Sequence, residues 1–381
     1  MQALRSKLPG TGTTIFTTMS SLAAECKAIN LGQGFPDFPM PEQLTEAVNK
    51  AMRDGYNQYA PMAGWLPLRE QLAEKIEFLY GTTLSPATDI TITPGGTYAI
   101  FTALTAILQP GDEVIVLEPA YDSYVPNILI NGGKPVLIPL NLPGFSIPWD
   151  KIEEAISART KAIIINSPHN PTGTTWSVED MSRLQHLVLA NNLYLISDEV
   201  YEHLVYDGVP HQSVLRYPEL LRRSFVCFSF GKTFHCTGWK IGYCVSSPEL
   251  MEEFRKIHQY NCFSVHTPSQ VGITEFMKDR SAYLSLASFM QERRDHFTKL
   301  MQCTRFNLLP SKGSYFVCAS YEQISNQGDL DFALHLTRTA GVATIPVSAF
   351  YQDGRETRLI RFCFAKNHST LEAAAEKLSR I

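Results

Sequence analysis

Residues 224–233 read SFVCFSFGKT, a strand-like apolar run that passes directly into Gly231-Lys232. A second apolar stretch, Trp239–Val245, begins only a few residues later, beside Lys240. Lysine is rarely buried, because removing an ammonium from water is costly and lowers its pKa. A lysine at such a corner often serves as an amine nucleophile, and the chemistry that it suggests is Schiff-base formation.

Four other apolar runs also stop at polar residues. They are Asp89–Thr93 before Gly95-Gly96-Thr97, Glu113–Leu117 before Tyr121, Lys161–Ile165 before Asn170, and Leu193–Ile196 before Asp198 and Tyr201. Amphipathic stretches of helical length, such as Tyr98–Leu108 and Val178–Ala190, lie between them, so the pattern predicts βαβ units in a mostly parallel sheet. Ligands of such sheets bind at the carboxyl ends of the strands, where these polar residues would converge. Lys240 reaches that edge only if its strand is antiparallel to the one that ends at Phe230, which a short connection allows.

The glycine-containing turn of this set is suited to an anion. Gly95, Gly96 and Thr97 open a predicted helix, whose free N–H groups and positive dipole end would face the ligand. The hydroxyl of Ser229 and the charge of Lys240 would complete a phosphate site.

The remaining residues match the other polar features of one cofactor. Asp198 could hold a protonated ring nitrogen, and Tyr121 could stack on the ring. Asn170 and Tyr201 could donate hydrogen bonds to a phenolate oxygen, and Lys232 could react with an aldehyde. Phosphate, pyridinium, phenolate and aldehyde are the polar features of pyridoxal 5′-phosphate (PLP).

Each of these residues also has a purely structural interpretation. Asp198 could cap the following segment, Gly95-Gly96 could form a turn, Tyr121 could only pack, and Lys240 could be a solvated charge at a strand end. Arg361 lies in an apolar run and needs a partner, which a structural ion pair would supply as well as a substrate.

Three sequence blocks together resemble the class I aminotransferases of PLP fold type I. They are Asn170-Pro171-Thr172-Gly173, Ser197–Tyr201 and Ser229–Thr233. Their order and spacing match along nearly the whole chain. Asn30–Phe38, Thr237–Lys240 and Ile360–Phe364 are further similar to the branch that contains kynurenine aminotransferases, which are also cysteine-conjugate β-lyases, and bacterial methionine aminotransferases.

This resemblance implies an α/β fold, with a large domain built on a mostly parallel seven-stranded sheet with helices on both faces, and a smaller α/β domain. The implied large domain covers residues 31–280, and residues 1–30 and 281–381 form the small one. Residues 281–301 are expected to form one long helix. Because Arg361 would belong to the small domain and Lys232 to the large one, we expect closure around the substrate.

The resemblance also implies a role for each site residue. Lys232 is the Schiff-base lysine, Asp198 the ring-nitrogen partner, Asn170 and Tyr201 the donors to the phenolate oxygen, and Tyr121 the ring-stacking residue. Gly95, Gly96, Thr97, Ser229 and Lys240 bind the phosphate, and Tyr59 reaches the phosphate of the neighbouring subunit in a homodimer.

Arg361 binds the substrate α-carboxylate as a bidentate partner, assisted by Asn170 and Gly34, and Phe16 faces the substrate. Without the resemblance, Tyr59 would be an ordinary half-exposed aromatic residue and Phe16 a core residue.

Two positions depart from related sequences. Lys240 stands where most class I members have arginine, although the kynurenine-type branch uses lysine there. Ser264 stands where animal relatives have histidine, which weakens the case for kynurenine as the substrate.

The activity implied is transfer of the α-amino group of methionine or an aromatic amino acid to a 2-oxo acid, with ping-pong kinetics. A PLP-dependent cysteine-S-conjugate C–S β-lyase is the alternative, because it would use the same carbanion but expel a thiol. A PLP-binding regulator without catalysis is a third hypothesis.

Composition is typical of a soluble enzyme. The 381 residues carry a formal net charge of −4, which provides no basic field for nucleic acid or an anionic membrane. We find no apolar signal segment or spanning run, so the expected location is cytoplasmic. The eight cysteines include no Cys-x-x-Cys pair and the ten histidines no metal-binding spacing, so we predict no metal.

Overall fold

The computed structural model describes residues 4–381 and contains three sheets. The strands are β1 (Ile29–Asn30), β2 (Ile90–Thr93), β3 (Glu113–Glu118), β4 (Lys134–Pro139), β5 (Thr160–Asn166), β6 (Tyr194–Asp198), β7 (Ser224–Ser229), β8 (Gly242–Ser246), β9 (Asn307–Leu308), β10 (Phe316–Ser320), β11 (Val342–Ala343), β12 (Ile345–Pro346) and β13 (Leu359–Cys363). The α-helices are α1 (Ile15–Glu25), α2 (Glu42–Arg53), α3 (Leu66–Tyr80), α4 (Gly96–Ile107), α5 (Tyr124–Ile130), α6 (Trp149–Ala155), α7 (Val178–Ala190), α8 (Pro218–Leu221), α9 (Phe230–Thr233), α10 (Pro248–Asn261), α11 (Thr267–Phe276), α12 (Ser281–Leu284), α13 (Leu286–Met301), α14 (Asp329–Thr339) and α15 (His368–Leu378).

The largest sheet has seven strands in the order β2-β8-β7-β6-β5-β3-β4. Only β8 runs against its neighbours: it is antiparallel to β2 and to β7, and all the other pairs are parallel. The α/β fold and the mostly parallel seven-stranded sheet are therefore confirmed, as is the antiparallel strand that follows Lys240. The carboxyl ends of β5, β6 and β7 consequently meet at one edge, next to the amino end of β8.

The central strands are buried along almost their whole length, and their middle residues are apolar. All six residues of β3 are buried, and in β5 only Lys161 is partly exposed. Such continuous apolar runs are typical of parallel strands that are covered on both faces. Ser177 begins the neighbouring helix α7 with a capping box, in which its side chain accepts from the Asp180 N–H and the Asp180 carboxylate accepts from the Ser177 N–H.

The C-terminal part of the chain forms a four-stranded antiparallel sheet in the order β12-β13-β10-β9. The N-terminal strand β1 pairs in parallel with β11, and α1 contacts α14. Residues near both ends of the chain therefore pack together. The predicted domain bounds, 31–280 against 1–30 and 281–381, stay a prediction.

Two elements differ from the sequence-based expectation. The strand predicted over Trp239–Val245 begins only at Gly242, because Thr237–Trp239 form a 3₁₀ turn and Lys240 has a positive φ of 51°. The helix expected over residues 281–301 is divided at Ser285, whose hydroxyl donates to the Ser281 carbonyl. Side-chain bonds of this kind compete with regular helix geometry.

None of the helices in residues 4–381 is both long enough and apolar enough to cross a membrane.

Candidate active site

A cavity of about 260 Å³ lies where the sheet edge meets the N-terminal segment and β13. The predicted site residues that line it are Phe16, Gly34, Gly95, Gly96, Thr97, Tyr121, Asn170, Asp198, Tyr201, Ser229, Lys232, Lys240 and Arg361. Residues that were not predicted also contribute to its walls, among them Gln33, Phe35, Asn166, Val200 and Phe316. The structure thus brings together every predicted site residue except Tyr59.

The glycine turn between β2 and α4 leaves room for an anion at the start of the helix. Gly95 has a φ of 85°, which favours glycine, and a Cβ at this position would lie 3.6 Å from Nζ of Lys240. A Cβ on Gly96 would approach Cγ1 of Val200 to 2.8 Å. The ammonium group of Lys240 is therefore close to the positive end of α4, and together they suit a phosphate.

Asp198 is the buried carboxylate of the site. Its Oδ2 accepts from the hydroxyl of Tyr124 at 2.6 Å, and its Oδ1 accepts from the N–H of Val200 at 3.3 Å. Burial raises the pKa of Asp198 to about 6, and the hydrogen bond from Tyr124 opposes this rise. The sequence analysis did not identify Tyr124, although it follows Tyr121 by three residues in the same segment.

Lys232 lies in α9, directly after β7, and is largely but not fully removed from solvent. Its Nζ donates to the carbonyl of Gly34 at 2.9 Å and lies 5.6 Å from the centre of the Tyr201 ring. The backbone carbonyl of Lys232 accepts from the Tyr315 hydroxyl. Burial lowers the pKa of Lys232 to about 8, so a larger fraction of its amine is uncharged near neutral pH than in water.

Asn166 connects the ends of β5 and β6. Its Nδ2 donates to the backbone carbonyl of Asp198 at 2.8 Å, and its Oδ1 accepts from the N–H of Asn170 at 2.8 Å. Asn166 thus orients two predicted cofactor ligands. The sequence shows that Asn166 lies at the end of an apolar run, where site residues are expected. It does not indicate which groups Asn166 bonds to.

Arg361 is the buried cation on the opposite wall, with 1% of its surface exposed. Its two terminal nitrogens donate to Oδ1 of Asn170 and to the carbonyl of Gly32, each at 2.6 Å, whereas Nε has no partner. Both acceptors are neutral, and no carboxylate in residues 4–381 forms a salt bridge with Arg361, which argues against a structural ion pair.

Three aromatic rings surround the Arg361 guanidinium: those of Phe16, Phe316 and Phe350, whose centres lie 5.4, 3.9 and 5.1 Å from Cζ. Burial lowers the pKa of Arg361 to about 10, so it remains charged at neutral pH. A desolvated guanidinium with a free N–H is suited to bind a carboxylate from a ligand.

Tyr59 lies outside the cavity of its own chain. It is 81% exposed, not half-exposed, and its ring packs edge-on against Phe263 at 5.4 Å. Phe263 is itself 40% exposed and has a positive φ of 69°. Neither residue contributes to the site within one chain.

These side chains match several separate chemical groups of PLP. Lys240 and the start of α4 suit its phosphate, Asp198 its ring nitrogen, and Lys232 its aldehyde. A metal centre has no comparable set of ligands, since in residues 4–381 no group of His, Cys, Asp and Glu side chains is arranged to bind an ion.

Comparison with known proteins agrees with this assessment. The family described as "Aminotransferase class I and II" matches residues 27–378. Methionine aminotransferase of Escherichia coli K12 is 44% identical over 99% of this chain and 98% of its own length. Human kynurenine–oxoglutarate transaminase 1 is 34% identical, over 94% of this chain and 93% of its own.

Solved structures show the same relationship. The crystal structure of E. coli YbdL, reported with a methionine aminotransferase function, superposes with a TM-score of 0.98 at 44% identity and covers 100% of both chains. N-succinyldiaminopimelate aminotransferase of Mycobacterium tuberculosis gives a TM-score of 0.94 at 36% identity, covering 99% of this chain and 100% of its own. With its fold, its site and these relatives in agreement, the chain belongs to the class I and II aminotransferases and is a PLP-dependent enzyme.

Proposed function

We propose that this aminotransferase moves the α-amino group of methionine or an aromatic amino acid to a 2-oxo acid by a ping-pong mechanism. The observation that carries the proposal is the setting of Arg361: a buried guanidinium with a free Nε, enclosed by aromatic rings. No other arginine lines the cavity among the residues that the structure describes. A second carboxylate on the substrate side chain would therefore lack a guanidinium partner, which favours apolar side chains.

Substrate binding is assigned to the wall that carries Arg361. Its guanidinium, with Asn170 and the backbone at Gly34, would bind the α-carboxylate. The ring of Phe16 would contact the side chain, as Phe35 and Phe316 also could, since both line the same cavity. The high similarity to a methionine aminotransferase supports the proposal that one substrate is an amino acid with an unbranched apolar side chain.

Cofactor binding is assigned to the sheet edge. Gly95, Gly96, Thr97, Ser229 and Lys240 would bind the phosphate. Asp198 would pair with the ring nitrogen, Tyr121 would lie against the ring, and Asn170 and Tyr201 would donate to the phenolate oxygen. PLP supplies the aldehyde that takes up the amino group and the ring that accepts electrons from the α-carbon.

Proton transfer is assigned to Lys232. With its pKa lowered to about 8, Nζ is a base of suitable strength near neutral pH, and it would accept the proton from the substrate α-carbon and deliver it onward. Asp198, when ionised, would keep the ring nitrogen protonated. The carbonyl of Gly34, which accepts from Nζ at 2.9 Å in this structure, would orient the amine once substrate has displaced it from the cofactor.

We further propose a homodimer with shared sites. The exposed rings of Tyr59 and Phe263 pack against each other, and exposed aromatic pairs of this kind are typical of protein interfaces. Tyr59 would reach the phosphate in the partner subunit. The predicted domain bounds, the domain closure and the cytoplasmic location also stay proposals.

Half-reactions test the substrate assignment. Purified PLP-loaded enzyme is mixed with methionine, phenylalanine or aspartate without an oxo acid, and the oxo acid formed per subunit is measured by mass spectrometry with the cofactor absorbance. We expect about one equivalent of oxo acid from methionine or phenylalanine, because no second substrate regenerates the starting cofactor form. Preference for aspartate would contradict the substrate proposal, and steady release of thiol and ammonia from a cysteine conjugate in place of transamination would favour the β-lyase.

A further inference from the structure

A buried polar network lies behind the turn that follows β6, on the side away from the cavity. Asp198 and Tyr201 line the cavity, whereas Glu199 and Glu202 alternate with them and form their hydrogen bonds elsewhere. All four residues are buried. The function described above uses the first pair only and leaves two buried carboxylates unexplained.

Glu202 is satisfied by three donors from two other elements. Its Oε1 accepts from Nζ of Lys75 at 2.5 Å and from the Tyr243 hydroxyl at 3.0 Å, and its Oε2 accepts from the Tyr80 hydroxyl at 2.7 Å. Lys75 and Tyr80 belong to α3, and Tyr243 belongs to β8. The turn is therefore connected to both elements through one carboxylate.

Glu199 is held in a similar way on its own side of the turn. Its Oε1 accepts from the Ser197 hydroxyl at 2.9 Å and from the N–H of Val214 at 3.0 Å, and its Oε2 contacts Nε2 of His211 at 2.8 Å. Asp198 and Tyr201 are thus each followed directly in the chain by a buried carboxylate whose two oxygens both have partners.

The ammonium group of Lys75 lies beneath three neighbouring strands of the sheet. It bonds to Glu202 after β6, and it lies 5.7 Å from the ring centre of Phe228 in β7 and 5.4 Å from that of Tyr243 in β8. Three groups of proposed cofactor ligands lie at the ends of these strands: Asp198 with Tyr201 at the end of β6, Ser229 with Lys232 at the end of β7, and Lys240 just before β8. One buried pair is therefore in contact with three strands that carry or adjoin proposed cofactor ligands.

Apolar residues in place of Lys75 and Glu202 would not orient the turn that carries Asp198 and Tyr201 in the same way. Burying two charges costs several kcal/mol in desolvation, and apolar residues of equal volume often stabilise a fold as well or better. Hydrogen bonds, however, restrict distance and direction more than apolar contacts do, and the three bonds to Glu202 would limit the rotation of the 199–203 turn about the strand axis.

We propose that Lys75 and Glu202 are positioning residues for cofactor binding, which hold the turn so that Asp198 and Tyr201 face PLP. Neither residue lines the cavity. The inference rests on the proposed cofactor roles of Asp198 and Tyr201. It assigns a function to buried charges that do not contact the reacting atoms.

The test compares cofactor affinity and absorbance in full-length variants. Glu202→Gln keeps the shape of the side chain but removes its charge, and we expect it to weaken PLP binding by about tenfold. We also expect a shift in the pH at which the absorbance of bound cofactor changes, because Tyr201 and Asp198 move relative to the ring. Affinity is measured by titrating cofactor-free protein with PLP, below the melting temperature and after circular dichroism has shown a native fold.

A milder variant covers the case in which Glu202→Gln does not fold. Tyr80→Phe removes one hydroxyl from the network, and we expect it to weaken PLP binding by about threefold and to shift the absorbance titration in the same direction. Tyr321→Phe is the matched control, because it also removes one hydroxyl bond from a buried tyrosine, to the Gln327 carbonyl at 2.9 Å, in the C-terminal region. We expect this control to lower stability without changing the affinity or the titration.

The outcomes separate this inference from the proposed cofactor site. Asp198→Asn serves as the reference, and PLP affinity that is unchanged in this variant would refute the site itself. If Asp198→Asn binds weakly while folded Glu202→Gln and Tyr80→Phe bind like the wild type, the positioning role is overturned and the network is only structural.

Discussion

Burial moves the pKa values of Lys232 and Asp198 toward neutrality from opposite sides, to about 8 and about 6. Between these values both groups are charged in the folded protein without the cofactor. Holding two charges away from water lowers the folding stability of the cofactor-free protein. A bound cofactor that pairs with these charges would restore part of that stability.

Replacing Lys232 should stabilise the cofactor-free protein in a pH-dependent way. Because the folded pKa is about 8 and the unfolded value near 10.5, the unfolded chain binds more protons between these values and stability rises with pH there. Lys232→Met should exceed the wild type by roughly 3 kcal/mol in unfolding free energy at pH 7. The difference should shrink toward pH 10.5.

Urea unfolding of both proteins at pH 7 and pH 10 measures this effect. A constant difference at the two pH values would contradict a buried, titrating lysine. The same variant should lack aminotransferase activity.

The hydrogen bond from Tyr124 to Asp198 offers a second test on a single side chain. This bond lowers the pKa of Asp198, so Tyr124→Phe should raise the pKa above about 6. If Asp198 acts as a carboxylate on the ring nitrogen, as proposed, the acidic limb of the kcat/KM profile should therefore move to higher pH. Tyr217→Phe, which removes a bond to Gln212 at 3.0 Å, is the control and should leave the profile unchanged.

Among the structural elements, the connection between α9 and β8 combines strain with function. Lys240 adopts a positive φ of 51°, which costs a residue with a Cβ about 1–2 kcal/mol, and its Nζ lies near Gly95 at the start of α4. The backbone conformation turns the chain so that the ammonium group lies beside Gly95, at the proposed phosphate site. Strain in this connection thus accompanies a proposed binding role.

Two substitutions at Lys240 separate the contributions of charge and strain. Lys240→Ala and Lys240→Gly both remove the ammonium group, so both should weaken PLP binding to a similar extent. Only the glycine relieves the positive φ, and Lys240→Gly should be more stable than Lys240→Ala by about 1 kcal/mol. Thermal unfolding of the cofactor-free proteins and PLP titration measure the two effects, and equal stabilities would contradict strain at this residue.

At the level of the whole molecule, the exposed position of Tyr59 makes a prediction about subunit pairing. If Tyr59 completes the partner's site, a hybrid of a Lys232→Ala subunit and a Tyr59→Ala subunit contains one site with both defects and one intact site. Mixing the two inactive variants, with exchange of subunits, should restore up to about a quarter of wild-type activity.

The same experiment would also show whether Tyr59 acts within its own subunit instead. A tyrosine that acts within its own chain would leave both hybrid sites defective, and mixing would restore nothing. Sedimentation analysis of the wild type provides the control, since a monomer would exclude shared sites altogether.

Local sequence was sufficient to predict six of the seven strands of the large sheet, all except β4, and several residues of the cavity lining. Lys232, Asp198 and Asn170 each follow an apolar run, and the change from apolar to polar residues is visible within a few positions. The exact start of β8 was not predictable in this way, because the turn at Lys240 depends on a positive φ that lysine rarely adopts.

The second layer of the site required the tertiary structure. Tyr124 is 74 residues from Asp198 and Lys75 is 127 residues from Glu202, and no periodicity relates either pair. Likewise, the rings around Arg361 come from a helix, a strand and a 3₁₀ turn that are distant in the chain. Residue types and strand ends are local properties and can be read in order along the chain, whereas hydrogen-bond partners and the enclosure of a charge arise only when distant elements pack together.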